Sequence, residues 1–272
     1  MNDLISKYNN LLQDYNDQIV SKFDESDFKL YNEILFSAHN CGIEGNSFSV
    51  DDTRELKEQQ LGNIPVGKTL FEAYEMLDHF KAYEYLFADL NRELTEDLLK
   101  ETHGILMKNT LSYRIKDAVA GEYTNTDMAA GDTVFGDHKM LIEQVPKLLF
   151  QTQKALEQNV LHPVVLSARF HCFFEYLHPF RDGNGRIGRL FANFILSKLN
   201  HPIIIIEREK KSEYLQMLKA YKKENSTVFI EEFFFNSAIL RMEKEMEEKK
   251  NLTKNFLEEF VNNKNKICRK RR

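Results

Sequence analysis

The chain has no tryptophan, and its 272 residues include only 5 prolines, 11 glycines and 3 cysteines. So few helix breakers, with Leu, Lys, Glu and Phe recurring at helical spacing, exclude a sheet-rich fold and favour helices throughout. The cysteines, Cys41, Cys172 and Cys268, are odd in number and scattered, so neither a disulfide framework nor a paired metal-ligand spacing is available. Reduced thiols are expected. No apolar run approaches a membrane span, and MNDLISKYNN has neither a cationic start leading into an apolar stretch nor a small-residue cleavage site. The expected address is the cytoplasm, with no membrane partner. Four residues follow Cys268, one too many for a prenylation box. The net charge of −5 hides an asymmetry: residues 241–272 carry 11 Lys/Arg against 6 Asp/Glu, leaving −10 for the rest. An acidic body argues against an extended nucleic-acid surface, and the basic run Lys264 to Arg272 reads as a solvated end.

What is present is 42% hydrophobic and 29% charged, the balance of a globular chain long enough for a sizeable core. Helical periodicity runs from Asp27, read as an N-cap, to His39, and again over Thr69 to Leu90 and Thr95 to Met107. It resumes over Ile142 to Leu156 and Val164 to Tyr176, continues after Arg186 through Ile195, and returns over Ser212 to Tyr221 and Val228 to Met242. Between Gly121 and Gly136 the pattern turns to Thr, Gly and Asp, which fits a β-hairpin better than a helix. Gly62 to Gly67 reads as a loop, and Ile203 to Ile206 is a short apolar run of ambiguous state. The domains expected are an N-terminal helical region over 1–68, a core over 69–240 and a charged helical extension over 241–272.

The densest chemistry is His178-Pro-Phe-Arg-Asp-Gly-Asn-Gly-Arg-Ile-Gly-Arg189. Gly183-Asn184-Gly185 is a poor helix interior placed just before a helix, so its backbone N–H groups and the helix N-terminus can together cradle a phosphate. Arg186 and Arg189, three apart, share one helical face beside it, where guanidinium forks suit phosphate oxygens. Asp182, next to the loop, is placed to hold Mg²⁺, which bridges to phosphates and keeps several waters. Mg²⁺ with two arginines supplies four positive charges, a match for a nucleoside triphosphate such as ATP. His178 is the motif's one proton acceptor near neutral pH, fit to act as general base on an attacking hydroxyl, a role worth ~10²- to 10⁴-fold in rate. Phe180 reads as the buried anchor of the loop. A lone His, a lone Gly-Asn-Gly turn or two arginines at i and i+3 is usually structural; their co-occurrence within twelve residues is what carries the reading. His171, seven before His178, reads as a buried hydrogen-bonding residue.

This segment matches at every specified position the signature His-x-Phe-x-Asp/Glu-Gly-Asn-Gly-Arg-x-x-Arg, and the chain from about Leu70 to Ala238 resembles the Fic family. The resemblance implies an all-α core with a small β-hairpin flap that docks the protein target, ATP and Mg²⁺ as cofactors, and transfer of AMP to a Ser, Thr or Tyr hydroxyl. It implies His178 as base, Asp182 as metal ligand, Gly183, Asn184 and Gly185 as anion cradle, and Arg186 and Arg189 as phosphate clamps, with Arg189 on the γ-phosphate. The kinase-like relatives carry Lys where this chain has Gly185, which favours nucleotidyl transfer. Ile43-Glu44-Gly45-Asn46 resembles the end of the family's inhibitory helix, with two departures: Asn40 stands at a Ser/Thr position, and Gly42 falls inside the helix. Glu44 is then the inhibitory residue, and Gly42 is expected to loosen its helix. The competing reading is a helical regulator that binds nucleotide without turnover, or a DNA-binding module using the basic tail; an intact His178 and Asp182 weigh against it. A homo-oligomer is left open.

Overall fold

The computed structural model describes residues 1–130 and 133–251. The basic run Lys264 to Arg272 and Cys268 lie outside the described residues. The helices, in chain order, are α1 (Asn2–Gln18), α2 (Glu25–Ile43), α3 (Val50–Gln59), α4 (Leu70–Phe87), α5 (Glu96–Leu106), α6 (Leu111–Arg114), α7 (Leu141–Gln158), α8 (Pro163–Leu177), α9 (Asn184–Lys198), α10 (Lys211–Glu224) and α11 (Val228–Asn251). Their starts are written locally. Ser49 and Thr69 each form a reciprocal capping box, with Asp52 and Glu72, and the Thr95 side chain accepts from Leu98 N. For α2 the cap is Asp24, which accepts from Ser26 N, so the helix begins three residues before the Asp27 start expected from sequence.

β1 (Ala129–Ala130) and β2 (Thr133–Val134) pair antiparallel, Ala129 opposite Val134. The hairpin expected over 121–136 is thus a two-residue ladder, and the residues before it are turns. The Ile203 to Ile206 run is neither helix nor strand; all four side chains are buried, and Asn193 replaces its missing ladder by bonding both Ile204 N and Ile204 O.

Three apolar clusters share these helices. The largest joins α4, α5, α7, α8 and α9, with Phe170, Phe174, Phe180, Phe191 and Phe194 at its centre. A second joins α1, α8, α10 and α11, and a small third packs Cys41, Phe48 and Leu56 against the first turns of α4. Cys41 and Cys172 are buried free thiols. The boundary placed at 240/241 falls inside α11, which continues to Asn251. Arg241 there is buried, paired with Glu245 at 2.7 Å and donating to Ile203 O and Asn32, and Met242 and Met246 are in the second cluster. No helix among the described residues is long and apolar enough to cross a membrane.

Candidate active site

The His178 motif is the turn between α8 and α9. α8 stops because His178 adopts a left-handed conformation (φ 49°) and Pro179 offers no N–H to a further turn. Phe180, fully buried, stacks on His103 with ring centroids 3.7 Å apart. The Asn184 side chain locks the loop, accepting from Phe180 N at 2.9 Å and donating to Phe180 O at 2.7 Å. Its side chain therefore serves the turn, and only its backbone is left for the cradle. Gly183 opens α9 at φ 79° with no side-chain cap, and a Cβ there would meet Met107 Sδ at 2.8 Å. The first-turn N–H groups of α9 are thus free of helical partners and face the loop as an anion site requires.

Glu44 is the C-cap of α2, and its Oε1 lies 2.6 Å from Arg189 Nη2. A Cβ on Gly185 would stand 2.5 Å from the same oxygen and 2.9 Å from Arg189 Nη1. Gly185 thereby leaves the gap in which a carboxylate meets both the arginine and the first turn of α9. Although partial burial opposes ionisation, Arg189 and Arg186 together hold the Glu44 carboxyl below the ordinary carboxylate range. The pocket accepts an anionic oxygen, supplied here by the chain itself, so its residues fit a phosphate.

The two arginines, three apart, take different partners. Arg189 also donates from Nε to Asn40 Oδ1 at 2.5 Å, from Nη2 to Asn40 O at 3.1 Å, and from Nη1 to the Tyr214 hydroxyl at 3.3 Å. Arg186 is fully buried, with Nη1 2.6 Å from Glu75 Oε1 and Nη2 3.4 Å from Met107 Sδ and 3.6 Å from Asp182 Oδ1. Glu75 offsets part of its charge but is shared with Arg114, and Arg186 remains beside Asp182 at the edge of the phosphate site. Gly42 does not interrupt α2. A Cβ there would meet Arg208 Nε at 2.8 Å, and Arg208 bonds Ala38 O and Phe48 O, so glycine admits a cross-link instead of loosening the helix. Asn40, read from sequence as a missing hydroxyl, is the residue that holds Arg189.

Asp182 keeps a side chain 23% exposed, with Oδ2 3.0 Å from Arg114 Nη1 and Oδ1 accepting from Gly183 N. A single carboxylate beside a phosphate cradle fits Mg²⁺, which takes few protein ligands and completes its shell from water and phosphate oxygens. Arg114, which also reaches Glu75 at 3.1 Å, would have to yield. Among the described residues, the one cluster of three metal-binding side chains is Asp127, Asp137 and His138 beside the flap, apart from Asp182.

Burial pushes the His178 imidazole down to about 4, which leaves it neutral and able to accept a proton at physiological pH. The Phe135 ring, next to β2, stacks on it with centroids 3.7 Å apart, and Gly136 N donates to Tyr176 O, so the flap is fastened over the end of α8. His171 is buried and shares a 2.6 Å bond with the Tyr214 hydroxyl, the structural role expected of it. Glu75, Arg114, Phe135, Glu175 and Tyr214 escaped sequence reasoning. For Glu75 a signal existed: it interrupts the apolar stripe of α4, where an unpaired carboxylate would be costly.

The helical turn thus sets the His178 imidazole beside a glycine-opened pocket that holds one anionic oxygen on Arg189. Residues 93–196 match the Fic/DOC family, and the chain contains a Fic domain. It is 32% identical over 187 residues to the protein adenylyltransferase Fic of Drosophila grimshawi; the match covers 66% of this chain and 36% of the fly protein. The chain thus spans about a third of that relative's length. Its fold is that of a Fic domain containing signaling protein from Bacteroides thetaiotaomicron, with TM-score 0.75, 23% identity, and 92% and 96% of the two chains covered. It also resembles IbpAFic2 in its complex with adenylylated Cdc42, with TM-score 0.56, 18% identity, and 88% and 70% covered.

Proposed function

We propose that this protein is an adenylyltransferase that moves AMP from ATP to a Ser, Thr or Tyr hydroxyl of a target protein in the cytoplasm, restrained by Glu44. The observation that carries the proposal is a neutral His178 beside an anion site that Gly185 opens and Arg189 charges. The likeness to a protein named an adenylyltransferase, and to one crystallised with an adenylylated target, supports AMP as the group moved.

His178 takes the proton of the target hydroxyl at Nε2, since Nδ1 is buried. The hydroxyl oxygen bonds to the α-phosphorus, the bond from that phosphorus to the bridging oxygen breaks, and pyrophosphate leaves with the electron pair. Bound at Asp182, Mg²⁺ supplies positive charge to the departing phosphates. Gly183, Asn184 and Gly185 hold phosphate oxygens through the first-turn N–H groups of α9, and Arg189 holds the γ-phosphate once Glu44 withdraws. Arg186, held by Glu75 and 3.6 Å from Asp182, braces α9 against α4, adds positive charge beside the metal ligand and contributes its backbone N–H. The target lies along the flap, extending the short ladder by strand pairing with main-chain bonds. The identity of the phosphate transferred is tested with ATP labelled at either the α or the γ position: α-label alone should enter protein. His178→Ala should keep ATP affinity and lose transfer by at least ~100-fold. Undiminished AMP transfer by His178→Ala refutes the assignment, and γ-label transfer would make the protein a kinase.

A further inference from the structure

Two buried polar atoms without hydrogen-bond partners lie on adjacent groups at the C-terminal end of α8, outside the roles assigned above. One is Nδ1 of His178, and the other is Oε1 of Glu175. The second carboxylate oxygen of Glu175, Oε2, lies 3.8 Å from that Nδ1, just beyond hydrogen-bond reach. Buried polar atoms are almost always satisfied, so two orphans on facing groups at a proton-transfer site call for a chemical reason. The spacing is written in the sequence Glu175-Tyr-Leu-His178, which stacks i and i+3 on one helical face, and the left-handed turn at His178 fixes the ring over that last turn.

We propose that Glu175 is a positioning residue for His178: once Glu44 withdraws, the 3.8 Å gap closes to a hydrogen bond from Nδ1–H to the Glu175 carboxylate, before His178 takes the hydroxyl proton at Nε2. The bond would fix the Nδ1–H tautomer, leaving the Nε2 lone pair for the substrate, and would stabilise the imidazolium formed in the step. The proton count balances: one proton moves from hydroxyl to Nε2, Nδ1 keeps its own, and Glu175 stays ionised throughout.

Charged and titratable groups converge on the pair from several elements. Arg189 from α9, Glu44 from the end of α2 and Tyr214 from α10 act on Glu175; the Glu175 backbone carbonyl, then Glu44 and Asp182, favour the protonated His178 ring against its burial. Burial pushes the Glu175 carboxyl up to about 7, Arg189 opposes this and Glu44 adds to it. With Glu44 seated, Glu175 is therefore partly protonated at neutral pH and a poor acceptor; with Glu44 withdrawn, Arg189 draws it toward the ionised form. The contact that closes the phosphate site thus also weakens the base.

This inference rests on the reading of His178 as base, and its test separates the two. The histidines of the full chain are ¹⁵N-labelled, and the tautomer of His178 is read by NMR in a Glu44→Gly parent and in Glu175→Gln, Glu175→Leu and Glu175→Asp made in that parent; kcat for self-modification is measured against pH. The parent and Glu175→Asp should show the Nδ1–H tautomer, and Glu175→Leu should shift toward Nε2–H. Glu175→Leu should lower kcat on the order of 10- to 100-fold with KM for ATP unchanged, the loss usual when the group orienting a functional imidazole is removed. Glu175→Gln keeps an acceptor of the same shape, so it should fold, hold the tautomer and lose the rise in kcat near pH 7. An unchanged tautomer and kcat in Glu175→Leu, or the same pH limb in Glu175→Gln, overturns the proposal. Full activity in His178→Ala instead removes the base itself, while the tautomer measurement still stands.

Discussion

Removing Glu44 should release activity, and the structure allows the size of the release to be worked. In the resting arrangement Glu44 Oε1 sits 2.6 Å from Arg189 Nη2, with the glutamate side chain 33% exposed and the arginine side chain 4%. A charge-assisted hydrogen bond contributes about 1.5–3 kcal/mol when shielded from water. One-third exposure of the carboxylate discounts that to about 1–2 kcal/mol, or roughly 5- to 30-fold in occupancy of the pocket. The rest of the site should survive. Glu44 is the C-cap of α2, so glycine there removes no interior helical residue, and Arg189 keeps Asn40 and Tyr214 as acceptors. Glu44→Gly should therefore raise self-AMPylation by roughly 5- to 30-fold, within the range of ordinary coupling between two ligands. The assay compares parent and variant at ATP well below KM, where occupancy of the site limits the rate, in excess Mg²⁺ with α-labelled nucleotide, alongside thermal melts of both. Equal rates in two folded proteins would remove Glu44 from the mechanism and leave it an ordinary helix end.

Asp182→Asn should abolish the gain in ATP affinity that Mg²⁺ provides, read by calorimetry with and without chelator; a metal effect that survives the substitution places the ion elsewhere. Stability should fall as pH drops from about 6.5 toward 4. Burial depresses His178, His103 and His201 to about 4, and His79 and His171 to about 3, so in that window the unfolded chain binds protons that the folded chain refuses. Glu175, pushed up to about 7, and Glu33 and Asp78, also raised by burial, work in the opposite sense, but these three are outnumbered by the five histidines together with His39 and His162, which burial lowers as well. Thermal melts from pH 8 to 5 should show Tm falling with acid, and a flat profile would contradict the burial of these rings.

The sequence by itself determined what is local. Helix starts at Thr69 and Thr95 follow from side chains capping N–H groups three residues on, and the turn before α9 follows from Gly183, which only a residue without a Cβ fills at that φ beside Met107. Because the motif's residues are contiguous, their joint presence was legible without a fold. The Asp27 cap was misread because Asp24 and Asp27 are equally good caps within one turn, and local preference does not choose between them. α1 and α3 were not singled out in the sequence; α1 is held chiefly by α11, at the far end of the described chain, and α3 by its neighbours α2 and α4. Tertiary structure decided which charge meets which. Arg186 and Arg189 have the same chemistry and sit three apart, yet Glu75, 111 residues away, takes the first, and Asn40 and Glu44, 149 and 145 residues away, take the second. That partition depends on α4 and α2 approaching α9 from different sides, a consequence of how their apolar faces pack. No spacing along the chain encodes it, because buried charges take the partners that packing brings within reach.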